Sequence, residues 1–250
     1  MTADASGTTP RPGAGEASAA GAAAANAPIR GVLIDLDGTL LDTAGDLAAA
    51  VNRMLDALGL ARVSLDAVKT YVGKGIPMLV RRALARDLAG DVDPALVARA
   101  QPLFERAYAE ESGRSARLFP GAIEGLDAFR ALGLPLACMT NKAERYTHEL
   151  LALHGLDAYF PVVVCGDTLP RRKPDPLPVL WCCERLGLTP AEVLVIGDSL
   201  NDVQAARAAG CRVYCVPYGY NEGQPVASLA CDRVVATLAE AAAWVAAARA

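Results

Sequence analysis

The sequence lacks several features that would define other classes of protein. No apolar run approaches the roughly 18 residues needed to cross a bilayer. Basic residues are not in surplus: 24 Lys and Arg stand against 28 Asp and Glu, a net charge of −4, which argues against nucleic-acid or membrane partners. Residues 1–28 lack the basic start and leucine-type apolar segment of a secretory signal. They are rich in Ala, Gly, Pro, Ser and Thr and read as a disordered tail. Zinc-site spacing is missing too. Seven cysteines fall at 138, 165, 182, 183, 211, 215 and 231, and neither Cys182-Cys183 nor Cys211/Cys215 has histidine partners at metal-binding intervals. An odd number of thiols inside apolar segments points to free, buried cysteines in a reducing cytoplasm. The two histidines, His148 and His154, fall on a helix and at its end, in surface or capping positions. No repeat period is present.

What is present is apolar and alternating. At 250 residues and 53% hydrophobic, the chain can bury a sizeable core as one large domain or two modest ones. Much of that content is alanine, which favours helices. The key stretch is Gly31-Val-Leu-Ile-Asp-Leu-Asp-Gly-Thr-Leu-Leu-Asp-Thr43. Val32 to Ile34 reads as a buried strand that runs into Asp35 and Asp37. Alternation puts both carboxylates on one side, at the carboxyl end of the strand, where open α/β sheets bind ligands. Two close acids repel unless a cation or proton lies between them. An acidic turn after an edge strand would explain one aspartate, but not two with Gly38 and Thr39 behind them.

From Thr43 the pattern turns helical. Thr43 with Asp46 resembles a capping box, Leu47 to Leu58 keeps helical spacing, and Gly59 stops the run. Further helices start at Ser64, at Pro77 (through Leu88) and at Asp93-Pro94, the last expected to kink at Pro102. No strand is expected between 43 and 115. After Phe119-Pro120-Gly121, helices at 122–132, 143–153 and up to Leu186 alternate with strands at 134–139, 162–165, 192–196, 212–216 and 234–235, and an alanine-rich helix closes the chain. The expected fold is α/β, a Rossmann-like doubly wound parallel sheet with an inserted helical cap domain. The expected domains are the tail at 1–28, a core at 29–42 and 116–250, and a cap at 43–115.

On that fold, Thr140, Lys173, Asp198 and Asp202 gather with Asp35 and Asp37 along one sheet edge. Four carboxylates call for a divalent cation, and hard oxygen ligands favour Mg²⁺ over zinc. A lysine and a hydroxyl beside them suit a phosphoryl group. Singly, Lys173 would be a solvated loop lysine, Thr140 a helix cap and Asp202 an acid favoured by the helix dipole. Their joint occurrence at strand ends carries the reading.

Asp35-Leu-Asp-Gly-Thr39, Met139-Thr-Asn141, Lys173-Pro-Asp175 and Gly197-Asp-Ser-Leu-Asn-Asp202 resemble, in order, the four motifs of the haloacid dehalogenase-like phosphatase superfamily. The resemblance implies Asp35 as nucleophile and Asp37 as acid/base. It implies Thr140, Asn141 and Lys173 as ligands of the substrate's phosphoryl end. Mg²⁺ would be held by Asp35, the Asp37 backbone carbonyl and Asp198, with Asp202 in support, under a mobile cap. Tyr71-Val-Gly-Lys-Gly75, Thr140-Asn-Lys142, Ala205 to Cys211 and Tyr218 to Gly223 are similar to bacterial phosphoglycolate phosphatases. That similarity implies hydrolysis of 2-phosphoglycolate to glycolate and phosphate through an aspartyl-phosphate. Lys74, with Arg81 or Arg82, is the implied partner of the substrate carboxylate, or else these are exposed charges on a cap helix. Alternatives are another small phosphate ester such as a sugar phosphate, a phosphoglucomutase-type transfer, or a phospho-accepting receiver module, which lacks the insert and an acid two residues beyond the nucleophile. The implied partner is a small anionic phosphate ester, with the chain a monomer or homodimer.

Overall fold

A computed structural model describes residues 27–249. The expected tail, apart from Ala27 and Pro28, lies outside the described residues. Strand β1 (Gly31–Ile34) leads through a two-residue strand, β2 (Leu41–Asp42), into four helices: α1 (Ala44–Ala57), α2 (Leu65–Tyr71), α3 (Ile76–Ala85) and α4 (Pro94–Glu111). The chain returns by β3 (Arg117–Leu118), which pairs antiparallel with β2 through Leu41 opposite Leu118 and Asp42 opposite Arg117. Helices and strands then alternate: α5 (Ala122–Ala131), β4 (Leu136–Met139), α6 (Glu144–Leu153), β5 (Val162–Val164), α7 (Leu177–Leu186), β6 (Val193–Gly197), α8 (Leu200–Ala209), β7 (Arg212–Cys215), β8 (Arg233–Val234) and α9 (Leu238–Ala247).

The sheet has the order β5-β4-β1-β6-β7-β8, with every pairing parallel. The protein is therefore an α/β doubly wound fold. β1 lies at the point where strand order reverses, so a crevice opens beyond its carboxyl end. Strands β1, β4 and β6 are buried at every residue, as a parallel sheet covered on both faces requires. Alternation divides their side chains. Val32, Ile34, Leu136, Cys138, Leu194 and Ile196 face a core with Leu126, Phe129, Leu150 and Leu238. Leu33, Ala137, Met139, Val193 and Val195 face a second, with Val179, Cys182, Val203 and Ala206. The four-helix insert has its own core of Val51, Met54, Leu55, Val80 and Phe104, into which Tyr146 and Tyr220 reach from the α/β part.

Several local readings need correction. Thr43 makes no side-chain cap to α1. Asp46 instead accepts from the Gly113 N–H at 2.8 Å, the Ser115 N–H at 2.7 Å and the Ser115 hydroxyl at 2.6 Å. The acid clasps the end of the insert to its beginning, a long-range tie that no capping pattern encodes. Helix α3 stops at Ala85, not Leu88, because Arg86 adopts a left-handed conformation at φ 57°. The β2–β3 ribbon was not expected; two residues per strand are too few for periodicity to register. The other caps agree: the Ser64 hydroxyl accepts from Ala67 N and the Asp93 carboxylate from Ala95 N. All seven cysteines are unpaired, and six are buried. Among the described residues no helix is long and apolar enough to cross a membrane.

Asp46 is 2% exposed, so its removal leaves backbone donors without a partner. We expect Asp46→Ala to cost about 2–4 kcal/mol, read as a lower urea midpoint at unchanged slope.

Candidate active site

The polypeptide turns sharply after β1. The Leu40 and Leu41 N–H groups both donate to Leu36 O at 3.0 Å, which lifts Asp35 and Asp37 over the sheet edge. Gly38 makes this possible. It has φ +87°, and a Cβ there would lie 2.4 Å from Asp198 Oδ2. Gly219 is under the same constraint from the opposite loop, with its missing Cβ 2.3 Å from Asp198.

The buried Lys173 ammonium organises the inner site. It contacts Asp35 Oδ1 at 2.9 Å and Asp202 Oδ1 at 2.7 Å, and donates to Met139 O at 2.9 Å. Two of its protons are given to Met139 O and Asp202 Oδ1, and Asp35 is held as an ion pair. Burial pulls its pKa down, but Asp202 and Asp35 outweigh burial and hold it above its ordinary value. The other Asp202 oxygen accepts from the Ser199 N–H and hydroxyl, at 3.2 and 2.7 Å, as a capping box on α8. Asp198 accepts from the Thr39 hydroxyl at 2.9 Å and from the Tyr220 N–H. Asp35 Oδ1 also accepts from the Leu36 N–H at 2.7 Å.

Asp37 is held separately. Lys142 donates to both its oxygens at 2.9 and 3.1 Å, and the Thr43 hydroxyl donates at 2.7 Å. Burial lowers the Lys142 pKa, but Asp37 and Tyr108 overcome this and raise it. The Thr140 hydroxyl oxygen accepts from Lys142 N at 3.2 Å, which leaves its proton free to donate. Thr140, Asp35 and Asp37 line a cavity of about 330 Å³ closed from above by Leu47, Ile76, Leu79 and Tyr108 of the insert.

Asn141 lines the same cavity, whereas Lys74 does not. The Asn141 amide donates to Gly73 O at 2.8 Å and Lys173 O at 2.9 Å, fastening the loop before α3 to the loop that carries Lys173. Lys74 pairs with Glu222 at 2.7 Å, where the buried Arg82 joins it at 2.6 Å. Arg81 pairs with Asp91 at 3.2 Å. Sequence reasoning missed Lys142 and Tyr220. Lys142 had a signal, since it directly follows Thr140-Asn141. Tyr220 had none, because its backbone reaches Asp198 and its hydroxyl accepts from the Thr43 and Ala44 N–H groups only through tertiary contact.

Carboxylate oxygens of Asp35, Asp198 and Asp202 lie within 4.8 Å of one another. Four buried or half-buried acids, against the ammonium groups of Lys173 and Lys142, leave a deficit of two positive charges, that of one divalent cation. Burial pushes the Asp35 carboxyl up to about 7 and the Asp198 carboxyl well up, with Asp202 adding to both. An all-oxygen donor set short of positive charge fits a hard cation.

The family to which the chain corresponds is that of the haloacid dehalogenase-like hydrolases. The model of that family matches residues 32–216, and the chain belongs to it. The chain is 55% identical over 214 residues to a protein of Nitrosospira multiformis named phosphoglycolate phosphatase, covering 86% of this chain and 94% of that one. A Thiobacillus denitrificans protein of the same name is 55% identical over 215 residues, covering 86% and 95%. A crystal structure described as a predicted phosphoglycolate phosphatase from Haemophilus somnus superposes with a TM-score of 0.80 at 33% identity, over 85% of this chain and 96% of that one.

The raised acids set the response to pH. Without a cation, Asp35 keeps its proton in the folded state up to about 7 but ionises near 3.8 when unfolded, so its contribution lowers stability as pH rises through that window. A cation held by these acids would displace the proton and reverse this. We expect MgCl₂ to raise Tm more at pH 8 than at pH 5; an equal shift at both would mean that these acids do not bind it.

Proposed function

We propose that the protein is a Mg²⁺-dependent phosphatase that hydrolyses 2-phosphoglycolate to glycolate and phosphate. The observation that carries this reading is one carboxylate, Asp35, fixed by Lys173 and the Leu36 N–H beside a second, Asp37, that Lys142 and Thr43 hold apart from it. The 55% identity to proteins named for that substrate supports the choice of ester. Asp35, Asp198 and the Asp37 backbone carbonyl would hold the ion, with Asp202 in support. Bound there, it neutralises phosphoryl charge.

The oxygen of Asp35 attacks phosphorus, and the P–O bond to glycolate breaks. Asp37 gives its proton to the departing oxygen. It then takes a proton from water as that water attacks phosphorus, which cleaves the aspartyl-phosphate and frees Asp35 and phosphate. Thr140 donates to a phosphoryl oxygen. Lys173 acts through its charge, both on the phosphoryl group and in orienting Asp35. The helices of 43–115 serve as a cap on the core of 29–42 and 116–250, closing to exclude water. The unpaired thiols fit a reducing cytoplasm.

Asp35→Asn is expected to lower kcat at least about a thousandfold with circular dichroism unchanged; near-normal turnover would remove Asp35 as nucleophile. Asp37→Asn is expected to lower kcat about 10²- to 10⁴-fold and to accumulate phospho-enzyme visible by mass spectrometry. Repeated turnover of p-nitrophenyl phosphate by the wild type separates a phosphatase from a receiver module, which would stop after one phosphorylation.

A further inference from the structure

Asp35, Asp37 and Thr140 line the cavity together with apolar residues, the neutral amides of Gln101 and Asn141, and two further acids, Glu105 and Asp167; Lys142 and Arg172 are the basic residues in its lining. Lys142 is committed to both oxygens of Asp37. Arg172 is not committed. Its chain neighbour Arg171 pairs with Asp175 at 3.0 Å, whereas among the described residues no carboxylate or carbonyl accepts from the Arg172 guanidinium. Lys173, next in the chain, turns inward to Asp35. Consecutive residues of one loop thus present a buried ammonium to the nucleophile and a free guanidinium to the cavity wall.

The guanidinium lies against the insert. A Cβ at Gly75 would stand 2.4 Å from Arg172 Nη1 and 3.4 Å from Cζ, so only glycine allows the approach. The loop carrying Gly75 is fixed in turn: Gly73 O accepts from the Asn141 and Asn201 amides at 2.8 and 3.3 Å. Arg172, an exposed residue, therefore spans the seam between core and insert beside Gly75. Lys74, Arg81 and Arg82 do not line this cavity, and each is already paired with an acid.

We propose that Arg172 reads the carboxylate of the substrate and sets the preference for phosphate esters that carry one. The assignment rests on the phosphoglycolate reading above. A planar guanidinium with free N–H groups matches a carboxylate in bidentate geometry. It also offsets the repulsion that Glu105 and Asp167 impose on a second negative charge, and an ester without a carboxylate gains nothing from it.

The test compares kcat/KM for 2-phosphoglycolate with that for 2-hydroxyethyl phosphate, which replaces the carboxylate end by a neutral one. We expect the wild type to favour phosphoglycolate and Arg172→Gln to cut the ratio of the two values about ten- to a hundredfold. Arg172→Lys, which restores charge without the fork, is expected to recover part of it. A wild-type preference that survives in Arg172→Gln overturns the Arg172 assignment alone. Collapse of the ratio in Lys74→Gln with Arg172→Gln intact also overturns it, in favour of Lys74. A wild type that does not prefer phosphoglycolate overturns the substrate reading and this assignment together.

Discussion

Lys173 contacts Asp35 and Asp202 from a position that water scarcely reaches, and much of the structure serves that contact. A buried ammonium is costly unless opposite charge and hydrogen-bond acceptors surround it. Here Asp35 comes from the end of β1, Asp202 from the first turn of α8, and the Met139 carbonyl from β4. The three acceptors exist together only when the sheet order brings β1 between β4 and β6. The lysine thus makes the site conditional on the fold and fixes the orientation of the acid assigned the attack on phosphorus.

The same charge balance gives the two aspartates of the opening motif different roles. They are two residues apart and chemically identical, yet their surroundings diverge. Asp35 shares Lys173 and the acidic trio with Asp198 and Asp202, and burial raises its pKa. Asp37 faces Lys142 and the Thr43 hydroxyl at the base of the four-helix insert. The proposed division of nucleophile from proton carrier rests on this divergence. The insert also bears on the site through Tyr220, whose backbone holds Asp198 and whose hydroxyl holds the first residues of the insert. The acidic cluster and the insert are tied through one residue.

Sequence patterns work best where structure is locally encoded. Strands β1, β4 and β6 are legible because parallel strands buried on both faces are short apolar runs, and polar residues at their ends mark the crevice. Asp35, Asp37, Thr140 and Asp198 are legible for that reason, whereas Lys173 lies on the loop before α7. The Thr43–Asp46 pattern does not form a capping box, since Asp46 accepts hydrogen bonds from Gly113 and Ser115 far along the chain. Helix α3 ends before its pattern does, because nothing in its composition marks Arg86 as the left-handed residue that ends it.

The sequence by itself determined the order of elements and the set of acids and bases at the sheet edge. Alternation and strand ends are properties of neighbouring residues. Tertiary structure alone decided which cation meets which acid. Lys142 is committed to Asp37, Lys74 and Arg82 to Glu222, and Arg171 to Asp175, while Arg172 is left facing the cavity. These basic residues look alike in a sequence. They differ only once the insert closes over the core, because these ion pairs depend on distances of 2.6 to 3.0 Å between groups that, for Arg82 and Glu222, lie 140 residues apart in the chain.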